Sequence, residues 1–136
     1  MATPPSIGAL FALEIPVTDI ERSQNFYTEL FGWEFTDVFP RGSHGIQTLH
    51  FFTNPAKSIN GALLLLDKGM VPKSAGPDAW GLWPTIVVSD VAEAITKVEA
   101  MSGGVKTPRL ELPGGRGVIG HVMDPDGNVL GLWSQA

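Results

Sequence analysis

The chain contains no cysteine, so a disulfide framework, thiolate catalysis and sulfur-ligated metal are all excluded. Charge is sparse: 17% of residues are Asp, Glu, Lys or Arg, and the nine basic residues are scattered through a chain of net charge −5. No basic stripe exists that could neutralise a phosphate backbone, which argues against nucleic-acid binding. Long apolar runs are missing too. The longest, Ala62–Leu66, is far too short to cross a bilayer. No basic start followed by an apolar run precedes Ile7, so a soluble protein of the cytoplasm, without membrane contact, is expected.

What is present suffices for one domain. The chain has 136 residues, 43% of them hydrophobic. Sixteen glycines and eleven prolines predict frequent turns and short elements. The sequence also repeats itself. At an offset of 71, Ile15 matches Ile86, Val17 matches Val88, Asp19 matches Asp90 and Gly32 matches Gly103. Leu49-His-Phe-Phe-Thr-Asn-Pro then resembles Ile119-Gly-His-Val-Met-Asp-Pro at an offset of 70, and Asn60 matches Asn128 at 68.

Each half reads as strand, helix and three further strands. Leu10–Val17 and Leu82–Val88 are the opening strands. Asp19 and Asp90 suit N-caps, whose carboxylates accept from free amides of the first helical turn. Glu93 makes the second an acidic variant of the capping box. Ile20, Phe26, Tyr27, Leu30 and Phe31 form one helical stripe, and Val91, Ala94, Ile95, Val98 and Met101 the other. Gly32 and Gly103-Gly104 end the helices. The remaining strands are Glu34–Val38, Ile46–Phe52 and Gly61–Asp67, then Val105–Thr107, Gly117–Met123 and Val129–Ser134. Repeat one spans 7–67, a Pro/Gly-rich linker 68–79 and repeat two 80–135, all in one domain.

Side chains alternate across a strand. Phe11, Leu13, Ile15 and Val17 make an apolar face that belongs under a helix, whereas Leu10, Ala12, Glu14 and Pro16 make the other. Thr85 occupies the position of Glu14 in the second half. A sheet covered by helices on one side and dotted with polar groups on the other predicts a curved sheet lining a cavity. Glu14 stands in a mostly apolar strand. Burial there would push a carboxyl toward its neutral form and fit it for general acid–base work. The plainer alternative is a carboxylate capping a loop or pairing with Arg22, Arg41, Arg109 or Arg116.

His121, before the Asp124-Pro-Asp-Gly turn, is a second candidate catalytic group, against the plainer reading of a core histidine bonded to backbone. His50 is out of step with it by one residue and faces the other way, but is kept as a candidate ligand contact. His44, in a Gly/Ser loop, reads as solvated. Trp83 and Trp133 could stack on a flat ligand beside Thr85. Trp33 and Trp80 read as core or interface. Arg116 and Arg41, in matching Gly-rich loops, could clamp a carboxylate.

Leu13-Glu-Ile-Pro-Val-Thr-Asp-Ile-Glu-Arg-Ser-Gln-Asn-Phe-Tyr-Thr-Glu-Leu-Phe-Gly-Trp resembles the opening strand and helix of vicinal-oxygen-chelate (glyoxalase/bleomycin-resistance) proteins, and Asp124-Pro-Asp-Gly-Asn-Val-Leu-Gly-Leu-Trp resembles their closing hairpin. The resemblance implies an α+β fold in which two βαβββ repeats form a curved sheet or half-barrel around a cavity. It does not fix function, because the family spans glyoxalases, dioxygenases, fosfomycin-resistance enzymes and binding proteins. Its metal-dependent members carry His, Glu or Gln ligands at four positions that correspond here to Ala12, Leu63, Trp83 and Gly131. None of these side chains can hold a metal, so no metal and no cofactor are expected. A small-molecule binder that sequesters an amphipathic compound is the first expectation. A metal-independent isomerase, lyase or cyclase using Glu14 is the second. A metal enzyme with a rearranged site, such as Glu14 with His121, is the third, and a purely structural role the weakest. The resemblance also implies a homodimer, with the linker long enough for units to be exchanged and the Trp80–Trp83 stretch at the interface.

Overall fold

The helices begin and end where the chain is punctuated, in a computed structural model that describes residues 6–72 and 81–136. Strand β1 (Ala12–Val17) leads into α1 (Ile20–Phe31), where Asp19 accepts from the Arg22 amide at 3.1 Å and Gly32 takes a left-handed φ of 71°. In the second half β5 (Thr85–Val87) leads into α2 (Val91–Ala100), capped by Asp90 through the Glu93 amide at 3.0 Å. Only half of the expected capping box forms, because the Glu93 carboxylate lies against Lys97 at 3.6 Å. The left-handed residue beyond α2 is Ser102, not a glycine. Gly103 is needed for a different reason: a Cβ there would sit 2.6 Å from the Met123 carbonyl.

The other strands are β2 (Glu34–Ser43), β3 (Ile46–Thr53), β4 (Asn60–Leu66), β6 (Gly104–Glu111), β7 (Val118–Met123) and β8 (Val129–Ser134). They form two four-stranded sheets, ordered β1-β4-β3-β2 and β5-β8-β7-β6, which do not close into a barrel. In each, the first strand crosses over through its helix to pair parallel with the last, and the other pairs are antiparallel. The chain is thus α+β with a repeated βαβββ unit, as its sequence predicts.

Several bounds differ for identifiable reasons. β2 and β6 run past the predicted ends and through Pro40 and Pro108. Both are edge strands, where a missing N–H breaks no ladder on the outer side. β5 is shorter than predicted, because Pro84 cannot donate and Leu82 stands fully exposed at 104%. Phe11, expected under a helix, is 79% exposed. β1 begins at Ala12 opposite Asn60, the first residue of β4, so Phe11 has no neighbouring strand. Trp80 and most of the predicted linker lie outside the described residues.

One core joins both halves on the helix side of the sheets. Ile15, Val17 and Leu63 meet Val118, Val122, Leu130 and Leu132, with Phe26, Tyr27, Val91 and Val98 from the helices, all buried. Tyr27, Trp33 and Phe52 stack in sequence at 5.0 and 4.1 Å between ring centres. The seam is also polar. The buried Asp124 carboxylate accepts from the Tyr27 hydroxyl at 2.7 Å, the Asn128 side chain at 2.9 Å and the backbone amides of Asp126 and Asn128. Asn128 in turn donates to the Pro16 carbonyl at 2.9 Å, and Asp126 binds Thr18 and Arg22. The β7–β8 turn is thereby bolted to β1 and α1.

Burial, followed by the neighbouring Asp124 charge and hydrogen bond, holds the Tyr27 phenol well above its ordinary value of 10.0. The folded chain therefore keeps this proton where the unfolded chain releases it, so stability present below pH 10.0 should fall as pH climbs past it. Tyr27→Phe should flatten that alkaline decline and cost about 1–2 kcal/mol at neutral pH, since it leaves a buried carboxylate short of one donor. Urea unfolding across the pH range checks both.

Candidate functional site

Strand register decides which candidates share a face. Glu14 is opposite Ala62, and Ala62 is opposite Phe51; Thr85 is opposite Gly131, and Gly131 is opposite His121. Paired residues project to the same side, so Glu14, Phe51, Thr85 and His121 all lie on the faces away from the helices. Trp83, two residues before Thr85, joins them. Gly131 explains how it fits: a Cβ there would lie 3.1 Å from the Trp83 indole and would run into the Thr85 hydroxyl. The indole lies over bare backbone and meets the His121 ring edge-on at 5.2 Å and 85°. Trp133 stands half-buried on the same face, its indole N–H donating to the Arg116 carbonyl at 3.0 Å.

Trp83, Thr85 and His121 are thus brought together around Gly131. Burial, and then the Lys106 charge, lowers the His121 pKa, which keeps the imidazole neutral at physiological pH. Glu14 is placed differently from the expectation of a buried carboxylate. It is exposed, and among the described residues no ion pair reaches it: Arg22 pairs with Asp126, and Arg109 with Glu111. It lines a cavity of about 300 Å³ with Leu13, Pro16, Trp83, Pro84 and Val129. His121 does not line that cavity.

His50 falls away from this face. His50 is opposite Leu63 and two residues from Phe52, both fully buried on the helix side. Its Nε2 lies 2.8 Å from the Thr48 hydroxyl, and its Nδ1 is buried without a hydrogen bond. Burial lowers its pKa. His50 thus lies on the helix side of the sheet, away from Trp83, Thr85 and His121. Arg116 gives its carbonyl, not its guanidinium, to Trp133, and its side chain is exposed. Arg41 lies within β2 and not in a loop matching that of Arg116. His44 is exposed in the turn after β2, as expected.

Phe51 and Phe39 were not singled out from sequence. They meet edge-to-face at 5.4 Å on the open face of the first sheet, and Phe51 remains 37% exposed. The signal existed: Phe51 is the repeat partner of His121.

The register also corrects one of the four corresponding positions. Gly131 is matched in the first half by Ala62, not Leu63, because the β3–β4 connection is longer than the Asp124–Asn128 turn and shifts the asparagine match by one. Leu63 is fully buried in the core. The side chains of Ala12, Ala62, Trp83 and Gly131 offer no lone pair to a cation, and no group of three His, Cys, Asp or Glu suited to a metal occurs among the described residues. A metal of the kind used elsewhere in this fold does not fit these residues.

The chain matches the profile of the Glyoxalase/Bleomycin resistance protein/Dioxygenase superfamily over residues 9–132. It belongs to that superfamily. It is 28% identical over 123 residues to the glyoxylase-named CFP32 of Mycobacterium tuberculosis, covering 89% of this chain and 43% of that protein. It is 32% identical over 136 residues to the anthracycline biosynthesis protein DnrV of Streptomyces peucetius, covering 95% and 47%. The chain therefore spans less than half the length of these two relatives. Among solved structures, a glyoxalase family protein from Bacillus cereus superposes with a TM-score of 0.77 at 12% identity, over 98% of both chains. A glyoxylase/bleomycin resistance protein/dioxygenase domain from Frankia gives 0.68 at 21% identity, over 95% of this chain and 98% of that one. These two superpositions establish the fold. No helix among the described residues is long and apolar enough to cross a membrane.

Gly131→Ala should displace the Trp83 indole. A red shift in tryptophan emission and a loss of about 1–3 kcal/mol in thermal or urea unfolding are expected.

Proposed function

We propose that this superfamily member binds a small, flat amphipathic compound without the aid of a metal. The observation that carries this reading is the shared cavity of Trp83 and Glu14: an indole next to an exposed carboxylate that has no ion pair among the described residues, in a space of about 300 Å³. Aromatic surface supplies apolar contact, and the carboxylate selects a ligand bearing a cation or a hydrogen-bond donor. The absence of donor side chains at positions 12, 62, 83 and 131 supports binding that relies on these two groups. DnrV is named for anthracycline biosynthesis, which makes flat fused-ring compounds the first to test.

Isothermal titration with a panel of amine-bearing polycyclic compounds should find a ligand whose affinity falls roughly tenfold or more in Trp83→Ala, as expected when a stacked aromatic anchor is removed. Binding unchanged in both Trp83→Ala and Glu14→Gln would refute the site. Glu14→Gln also separates a binder from a metal-independent isomerase, lyase or cyclase: lower affinity alone marks a binder, whereas retained affinity with lost conversion marks proton transfer by Glu14. Elemental analysis showing a stoichiometric transition metal that is required for binding would overturn the metal-free reading.

A homodimer is part of the same proposal. Leu82, Phe11 and Val87 expose large apolar side chains, and such surface favours self-association. Light scattering after size exclusion should give twice the chain mass of 14.5 kDa at micromolar concentration, and a stable monomer there would refute it.

A further inference from the structure

The two halves are related by a repeat, yet only one of their two mutual corners is bolted. At the first, the β7–β8 turn meets β1: Asp124 holds Tyr27 at 2.7 Å and Asn128 holds the Pro16 carbonyl. At the second, the β3–β4 connection faces β5, and the repeat partners of Tyr27, Asp124 and Pro16 are Val98, Asn54 and Val87. Val98 is fully buried in the core and has no hydroxyl. Asn54 bonds within its own turn, donating to Ser58 and accepting from the Ala56 amide. No equivalent polar bolt crosses this corner among the described residues.

A cavity of about 470 Å³ occupies the place of that bolt. Phe31, Trp33, Pro55, Ile59, Ile86 and Val87 supply its apolar walls, and no charged side chain lines it. Leu13 and Pro84 border both this space and the one holding Glu14 and Trp83, and Thr85 and Ser58 add hydroxyls to its lining. Its size is within the range of small-molecule sites. A charged ligand would be desolvated there without a counter-charge, and a strongly polar one would find the amide of Asn54 already engaged.

We infer that this second cavity, which runs along β5 at the unbolted corner, is a binding site for an uncharged, largely apolar small molecule. It is separate from the Glu14–Trp83 site and does not depend on the reading of that site.

The neutral dye N-phenyl-1-naphthylamine, which fluoresces when taken out of water, tests this on the intact chain. Saturable enhancement is expected with the wild type. Ala56→Phe, which fills the rim, and Val87→Lys, which adds an unpaired charge, should each weaken it by about tenfold or more. Ala56 and Val87 are exposed, so circular dichroism should show both variants folded. Trp83→Ala and Glu14→Gln should leave dye affinity unchanged. No saturable enhancement up to about 100 μM dye, enhancement indifferent to both rim variants, or enhancement abolished by Trp83→Ala would each overturn the proposal.

Discussion

The Asp124 carboxylate is the constraint on which the arrangement of the two halves depends. Burial raises its pKa, and the hydrogen bonds from Tyr27, Asn128 and the turn amides pull the other way. A carboxylate in that position is tolerable only while all its donors are in place. Those donors come from α1, from the turn itself and, through Asn128, from a residue tied to β1. Helix, strand and turn must therefore arrive together, and the relation between the sheets is set at this corner. Apolar burial across the seam is non-directional and could accept a shifted docking; the bolt could not.

That fixed relation is what gives the candidate site its character. Glu14 comes from the first half and Trp83 from just before β5 of the second, and they share a cavity only because the halves meet as they do. Within the second sheet, Gly131 provides the flatness on which the indole rests. Ala12, Ala62, Trp83 and Gly131 offer no electron-pair donor on this face, and Trp83 alone of the four supplies aromatic surface. Superfamily membership sets the scaffold, and the chemistry follows from these few side chains.

The repeat, both N-caps, the helical stripes and the βαβββ order were legible because each leaves a local mark: an acid before a periodic apolar run, a glycine after it, a matching phrase one half later. Strand ends were less so. Pro40 and Pro108 look like terminators until it is known that β2 and β6 are edges, which is a property of the sheet and not of the segment. Glu14 illustrates a deeper limit. Alternation correctly placed it on the face away from the helices, but whether that face is covered depends on how far the sheets close, and they stay open. His50 was rightly read as facing away from His121, and the register shows that this direction leads to Leu63 and the core side. The Asp124–Tyr27 bond spans 97 residues, and nothing in either neighbourhood announces the other.

The placement of proline has a consequence for how this chain can meet other chains. The four edge strands are β1, β2, β5 and β6. Pro16, Pro40 and Pro108 lie within three of them, and Pro84 immediately precedes the fourth, while the four interior strands contain none. Proline within an edge strand weakens a border that would otherwise template a further strand, whereas Pro84, whose carbonyl accepts from Gly131, faces β8 and shortens β5. Growth by adding strand to strand is thus hindered at the borders formed by β1, β2 and β6, which protects an open-sheeted molecule from fibre-like polymerisation and steers association toward its apolar side chains instead.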